Sequence, residues 1–308
     1  MKAVRFHSYG GPEVLVVEDM QRPEAAEGEV LIAVHAVGVN PVDWKVRGGY
    51  LTGMLNHHLP LIPGWDVSGV VAAIGGGVTD FKVGDAVYSL LDISRNGAYA
   101  EYVTARVGGI ATKPASVDHV TAAGVPIAAL TAWQSLFDFA KLSAGQTVLI
   151  HAAAGGVGHF AVQLARWKGA KVIGTASANN AEFVRQLGAD EVIDYNTTRF
   201  EDAVSDVDVV LDTMGGDTQQ RSWKVLKKGG ILIGTLGIQS PEGAAKYGVR
   251  GEAIFVAPNA DELTQIAVLI DSGELKTVVS TVLPLDEAAR AHELSQTGHV
   301  RGKIVLKV

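Results

Sequence analysis

Between residues 147 and 235 the chain alternates short apolar runs with stretches of helical periodicity. The runs are 147–150, 171–176, 191–195, 208–213 and 231–235, all rich in Val, Ile and Leu. The spacing between them predicts helices over 159–168, 181–187 and about 219–226. Asn179 or Asn180 is the expected cap of the second helix, and Gly188 its stop. Strands that are apolar along their whole length, alternating with helices, belong to a parallel sheet covered on both faces.

The first strand-to-helix connection carries chemistry. Ala152-Ala153-Ala154-Gly155-Gly156-Val157-Gly158 follows directly on the run 147–150. Small residues let the backbone approach a pyrophosphate, and the helix start supplies free N–H groups and a positive dipole end. The fingerprint reads Ala153-x-Gly155-x-x-Gly158, with alanine at the first glycine position. Such a turn can also be a tight connection with no ligand; the strands and helices around it favour a dinucleotide site.

The end of the second run bears on which dinucleotide. A carboxylate there accepts hydrogen bonds from a ribose 2′-OH and repels a 2′-phosphate. Residues 175–180 read Thr-Ala-Ser-Ala-Asn-Asn, with no acid before Glu182. The site therefore permits NADPH. Ser177 and Asn180 either donate to the 2′-phosphate or only cap the helix.

The first third has a different texture. Strand-like runs at 29–37, 69–74, 86–91 and 98–103 are separated by Gly- and Pro-containing turn signals, which predicts a mostly antiparallel, barrel-like domain. Strand-like ends recur at 281–285 and 302–306, so the C-terminal stretch is expected to return to that domain. The expected division is 1–120 plus 266–308 for the barrel-like domain and 121–265 for an inserted dinucleotide-binding domain.

Composition narrows the function classes. The chain has 308 residues, 47% hydrophobic and 19% charged, which suits a globular protein with room for two domains. A net charge of −7 argues against nucleic acid or an anionic membrane as partner. The N-terminus reads at once as a strand, and no run of about 18 apolar residues stands out, so the expected location is the cytoplasm. There is no cysteine, hence no disulfide framework and no thiolate metal site.

Several segments, in order, resemble the medium-chain dehydrogenase/reductase superfamily, and within it the zinc-independent quinone oxidoreductases. They are Gly10-Gly11-Pro12-Glu13-Val14-Leu15, Gly38-Val39-Asn40-Pro41-Val42-Asp43, Pro63-Gly64-Trp65-Asp66-Val67-Ser68-Gly69-Val70-Val71, Gly97-Ala98-Tyr99-Ala100-Glu101-Tyr102, Leu130-Thr131-Ala132-Trp133, the Ala-Gly turn and Arg301-Gly302-Lys303-Ile304-Val305-Leu306. The resemblance spans the whole chain. It implies an α/β fold: a Rossmann-type doubly wound parallel sheet inserted into a GroES-like, mostly antiparallel β-barrel catalytic domain, with the active site in the cleft between the domains. It also implies a homodimer. The alcohol dehydrogenase branch of the superfamily needs a Cys near Asn40 and a His-Glu pair near Trp65-Asp66 for catalytic zinc. This chain has Asn and Trp-Asp there, so no metal is expected. His57-His58 are adjacent rather than at ligand spacing, and His151 reads first as a core histidine.

Without a Lewis acid to hold an alkoxide, the accessible acceptors are electron-poor ones. Quinones and α,β-unsaturated carbonyls accept hydride while the developing charge spreads onto oxygen. The expected activity is NADPH-dependent hydride transfer to such a substrate. An enoyl reductase dedicated to one biosynthetic intermediate, or a non-catalytic NADPH-binding redox sensor, are the alternatives. The resemblance implies a donor role for Asn40 and Tyr50; turn chemistry before proline and loop packing are the other readings. Asp43 and Lys45 flank Trp44, and Lys45 either brings positive charge to the site or is solvated. For the cofactor, the resemblance implies backbone contacts from Gly155, Gly156, Val157 and Gly158. It places Thr131 near the nicotinamide ribose, Tyr195 on the 2′-phosphate, and Leu236, Phe255 and Val256 near the nicotinamide. Arg301 and Lys303 either pair with phosphates or are exposed terminal charges.

Overall fold

In the computed structural model, which describes residues 1–239 and 241–308, all five apolar runs are strands of one parallel sheet. Its order across the sheet is Glu191–Asp194, Lys171–Ala176, Thr147–Ile150, Val207–Asp212, Leu226–Gly234 and Arg250–Ala253. Every residue of Val207–Asp212 is buried, as a central strand with both faces covered requires. The sixth strand, Arg250–Ala253, lies at an edge and has no apolar run; only its ladder to Leu226–Gly234 defines it.

Element ends differ from the sequence reading for local reasons. The helix expected from 159 begins three residues earlier, as Gly156–Trp167, so the last glycines of the turn are already helical. The next helix, Ala178–Gln186, is capped by Ser177 rather than by Asn179 or Asn180. The Asn180 N–H donates to Ser177 O at 2.9 Å, which places Asn180 inside the first turn. The helix expected around 219–226 is Gly216–Ser222 followed by a single 3-10 turn, Trp223–Val225. The Asp212 carboxylate turns the chain early by accepting the N–H groups of Met214 (2.9 Å) and Gly215 (3.0 Å).

The second sheet has seven strands. Glu29–Val39 pairs antiparallel with Asp66–Ile74, Tyr102–Arg106 and Lys303–Lys307. Ala86–Leu90 and Ile110–Thr112 extend one side, and Val279–Pro284 runs parallel to Lys303–Lys307 on the other. The C-terminal stretch thus returns to this sheet. The run at 98–103 is a strand only from Tyr102, because the N–H groups of Ala98 and Tyr99 go to the carbonyls of Gly64 (2.6 Å) and Pro63 (3.1 Å).

The chain forms two compact units: Met1–Leu130 with Ala257–Gly273 and Thr277–Val308, and Thr131–Val256 with Glu274–Lys276. Residues 121–130 and 257–265 therefore fall with the first unit. The helix Ala260–Asp271 is fastened there at both ends. Tyr88 donates its hydroxyl to Leu263 O (2.5 Å), and Asp271 accepts the N–H groups of Ser116 (2.8 Å) and Ala115 (3.1 Å). No helix among the described residues is long and apolar enough to cross a membrane.

Candidate active site

The small-residue turn is built for close approach. Ala152 adopts a left-handed backbone (φ 49°), the Ala153 N–H donates to Thr175 O (3.0 Å), and the Gly155 N–H donates to Ala152 O (2.9 Å). A Cβ on Gly158 would lie 2.2 Å from Ala152 O and 2.7 Å from Ala153 Cα, so only glycine lets the helix pack on the turn. A Cβ on Gly155 would meet Ala152 O alone, at 3.2 Å. The first N–H groups of the Gly156–Trp167 helix have no intrahelical acceptor, and its first turn holds no acid. That cradle fits a pyrophosphate. His151, before the turn, is a core residue: its ring nitrogens lie 2.9 Å from Ser222 Oγ and 3.2 Å from Thr175 Oγ1. Burial pulls its pKa down to about 4.

Three candidate 2′-phosphate residues lie at neighbouring strand ends of that sheet. The Tyr195 N–H donates to Ala176 O (3.3 Å), next to Ser177, and the Asn180 amide reaches Ser177 Oγ (3.3 Å). Tyr195 is more than half exposed. Leu236 and Phe255 are exposed on the segments that follow their strands, so core packing does not explain them; Val256 is half-buried. Thr131 is buried within the helix Pro126–Trp133.

The candidate catalytic residues of the first unit sit around one short helix, Pro41–Arg47. Asn40 caps it in an extended conformation, Pro41 takes the first turn, and the Asp43 carboxylate accepts the Asn40 N–H (2.8 Å). Lys45 and Arg47 lie in the last turn, where the dipole favours cations. Trp44 then brings two candidates to one indole: Lys45 Nζ lies 5.6 Å from its ring centre, and the Tyr50 ring meets it edge-on at 6.1 Å. Tyr50 is 73% exposed. Lys45 is half-buried, and burial lowers its pKa.

Beneath that helix lies a buried polar cluster. Asn40 Nδ2 donates to Asp66 Oδ2 (2.8 Å) and to Gly38 O (3.4 Å), while its Oδ1 accepts from Lys303 Nζ. Lys303 Nζ also pairs with Asp66 Oδ2 at 3.3 Å, and Asp66 Oδ1 accepts the Ile127 N–H at 2.6 Å. Asp43 Oδ2 accepts the Tyr99 hydroxyl (3.1 Å), and Tyr99 Oη lies 3.1 Å from His292 Nε2. Arg47 Nη1 lies 3.1 Å from His292 Nδ1. Because Arg only donates, Nδ1 accepts and Nε2–H donates to Tyr99, so the hydrogens run from Arg47 through His292 and Tyr99 to Asp43. Burial raises the Asp43 pKa to about 7, against the pull of the Asn40 N–H, and the nearby Asp66 charge adds to the rise. Its Oδ1 has no partner among the described residues. Burial likewise pushes Asp66 up, and pulls His292 down to about 3.

This geometry corrects three expectations. Both Asn40 amide hydrogens have acceptors within the protein, Asp66 Oδ2 at 2.8 Å and, more loosely, Gly38 O at 3.4 Å. Asp43 is fully buried and acts inside the cluster. Lys303 is only 3% exposed, with its ammonium on Asp66 and Asn40; it is neither a phosphate ligand nor a surface charge. Arg301 is exposed. Around Asn40 and Asp66 an ammonium and amide hydrogens occupy the space, and that donor set does not fit zinc. Among the described residues no three His, Asp or Glu side chains are grouped to hold a metal ion. Sequence reasoning missed Asp66, Tyr99, His292 and Arg47 as partners. Asp66 and Tyr99 lay inside segments that carried the resemblance; His292 and Arg47 gave no local sign.

Residues 26–115 match the alcohol dehydrogenase GroES-like domain, and residues 187–306 match the zinc-binding dehydrogenase family. The chain is 37% identical to an NADPH-dependent alkenal/one oxidoreductase of Arabidopsis thaliana, over 99% of this chain and 79% of the relative. The quinone oxidoreductase from Coxiella burnetii superposes with a TM-score of 0.93 at 38% identity, covering 100% of this chain and 99% of the other. Escherichia coli quinone oxidoreductase in complex with NADPH superposes with a TM-score of 0.91 at 29% identity, covering 100% of both chains.

Proposed function

Because this chain belongs to the medium-chain dehydrogenase/reductase superfamily, in its quinone oxidoreductase branch, we propose that it is an NADPH-dependent, zinc-independent reductase acting on quinones or α,β-unsaturated carbonyls. The observation that carries the reading is the turn at 152–158. It opens the Gly156–Trp167 helix beside the strand Lys171–Ala176, which passes into Ser177 without a carboxylate. Gly155, Gly156, Val157 and Gly158 offer backbone to the pyrophosphate. Ser177, Asn180 and Tyr195 offer hydroxyl and amide hydrogens to the 2′-phosphate, with Arg301 as a further cation. Thr131, Leu236, Phe255 and Val256 bind the nicotinamide end.

Bound NADPH supplies a hydride. For an enone, hydride adds to the β-carbon, the electron pair of the double bond shifts toward the carbonyl oxygen, and a proton completes the reduction. The protein has to orient the acceptor, exclude water and stabilise negative charge on that oxygen. Tyr50 offers an exposed hydroxyl, and Lys45 an ammonium beside the same indole. Asn40 and Asp43 belong instead to the frame that holds their helix. The reading includes a cytoplasmic homodimer, which light scattering and cell fractionation test.

Calorimetry with NADPH and NADH, followed by turnover on a panel of quinones and enones, tests the reading. Tighter NADPH binding and consumption of NADPH are expected. Preference for NADH would overturn the cofactor assignment, and NADPH binding without turnover would favour a sensor.

A further inference from the structure

The Asp66 carboxylate is buried, and its two oxygens serve two different helices. Oδ2 accepts from the Asn40 amide, at the start of the helix that carries Lys45 and leads into Tyr50. Oδ1 accepts the Ile127 N–H, in the first turn of the helix Pro126–Trp133. Thr131 lies four residues further along that helix, about one turn. Lys303, from the last strand, supplies the counter-charge and fixes the Asn40 amide by occupying its oxygen. The partners come from positions 40, 127 and 303, so nothing local in the chain demands this meeting.

We propose that Asp66 is a positioning residue for hydride transfer, tying the helix that carries Lys45 and leads into Tyr50 to the first turn of the helix Pro126–Trp133, with Lys303 as its internal counter-ion. The inference rests on the NADPH reductase reading. Such a residue touches neither substrate nor cofactor. It acts by fixing the helix that carries the proposed donor side. Small losses of register cost rate more than binding, because reacting atoms must meet within a narrow range of distance and angle.

A structural role alone would lower stability and leave each folded molecule equally fast. The test therefore normalises rate to the number of NADPH-binding sites. In D66L/K303M the pair is removed together, so no lone charge is left buried, while both helix links are lost. The expected outcome is a fall in kcat per NADPH site of about tenfold or more, with the NADPH dissociation constant changed by less than about threefold. The deuterium isotope effect from NADPD should rise as hydride transfer becomes limiting. D66N/K303M keeps an acceptor for Ile127, and the Asn40 amide, released by Lys303, can turn its oxygen toward the new amide N–H; this variant should recover most of the rate. If D66L/K303M does not fold, N40A cuts the link at the other end with the ion pair intact, and the same fall in kcat and rise in isotope effect are expected. Wild-type kcat per site in folded D66L/K303M, or in N40A, would overturn the inference alone. A wild-type protein that consumes no NADPH with any quinone or enone would end the underlying reading instead.

Discussion

The two units build their candidate sites from opposite materials. In the parallel-sheet unit the site is backbone: a turn of alanine and glycine, helix N–H groups, and exposed side chains at strand ends. In the other unit it rests on polar and ionisable side chains driven under the surface, where Asn40, Asp43, Asp66, Tyr99, His292 and Lys303 are linked by hydrogen bonds. The first arrangement tolerates little added volume. The second tolerates little change in charge, because each buried group depends on its partner. The difference teaches how each half breaks.

The steric effect comes first, since it can abolish folding. A methyl at Gly158 meets two backbone atoms within 2.7 Å, whereas one at Gly155 meets a single atom at 3.2 Å. G158A should therefore weaken NADPH binding by about a hundredfold or prevent folding, and G155A should be at least about tenfold milder. Fluorescence titration and melting curves read both; equal effects would break the steric side of the comparison.

Next comes charge. K303M leaves the Asp66 carboxylate buried beside Asn40 without a cation and should cost about 3–5 kcal/mol of stability, measured by urea unfolding. A loss below about 1 kcal/mol would mean that the pair is screened or relaxed.

The third effect is a pH dependence. Asp43 ionises near 7 in the folded protein and near the ordinary carboxylate value of 3.8 when unfolded. Between those values the folded state holds a proton that the unfolded state has released. This group therefore favours folding most at low pH, and its contribution is lost as pH rises toward 7. The stability of the wild type relative to D43N should fall over that range, by at most about 1.4 kcal/mol per pH unit, and level off above it. A difference independent of pH would contradict the shift. The three histidines held near 3 to 4, His119, His151 and His292, work in the opposite sense below about pH 6.5 and are common to both proteins.

The smallest effect is at the exposed edge of the polar region. Y50F should lower turnover on enones by about tenfold with little change in NADPH affinity or melting temperature. An unchanged rate would remove Tyr50 as a donor and leave Lys45 as the candidate.

The same contrast governs what the sequence disclosed. The parallel strands and the glycine turn are local: apolar runs of four to six residues and a strand–turn–helix order state them directly. The edge strand Arg250–Ala253 was not legible, since an edge needs only backbone partners. The polar cluster was not legible either, because its members lie up to 263 residues apart and burial alone tells a paired lysine from a surface one. Lys303 looked like a terminal charge; the antiparallel pairing of Lys303–Lys307 with Glu29–Val39 is what carries it inward. Ser177 and Asn180 illustrate the middle case. Their neighbourhood was readable, but which of them capped the helix depended on where the strand released the chain.

The claim most exposed to test is that the chain transfers hydride from NADPH with no metal ion taking part. Single-turnover reduction of an enone by NADPD, in the presence of a chelator, tests it most directly. A product carrying one deuterium at the β-carbon and an equal quantity of oxidised cofactor are expected. Cofactor that stays bound and reduced across quinones and enones, or turnover that stops when the chelator is added, would contradict it.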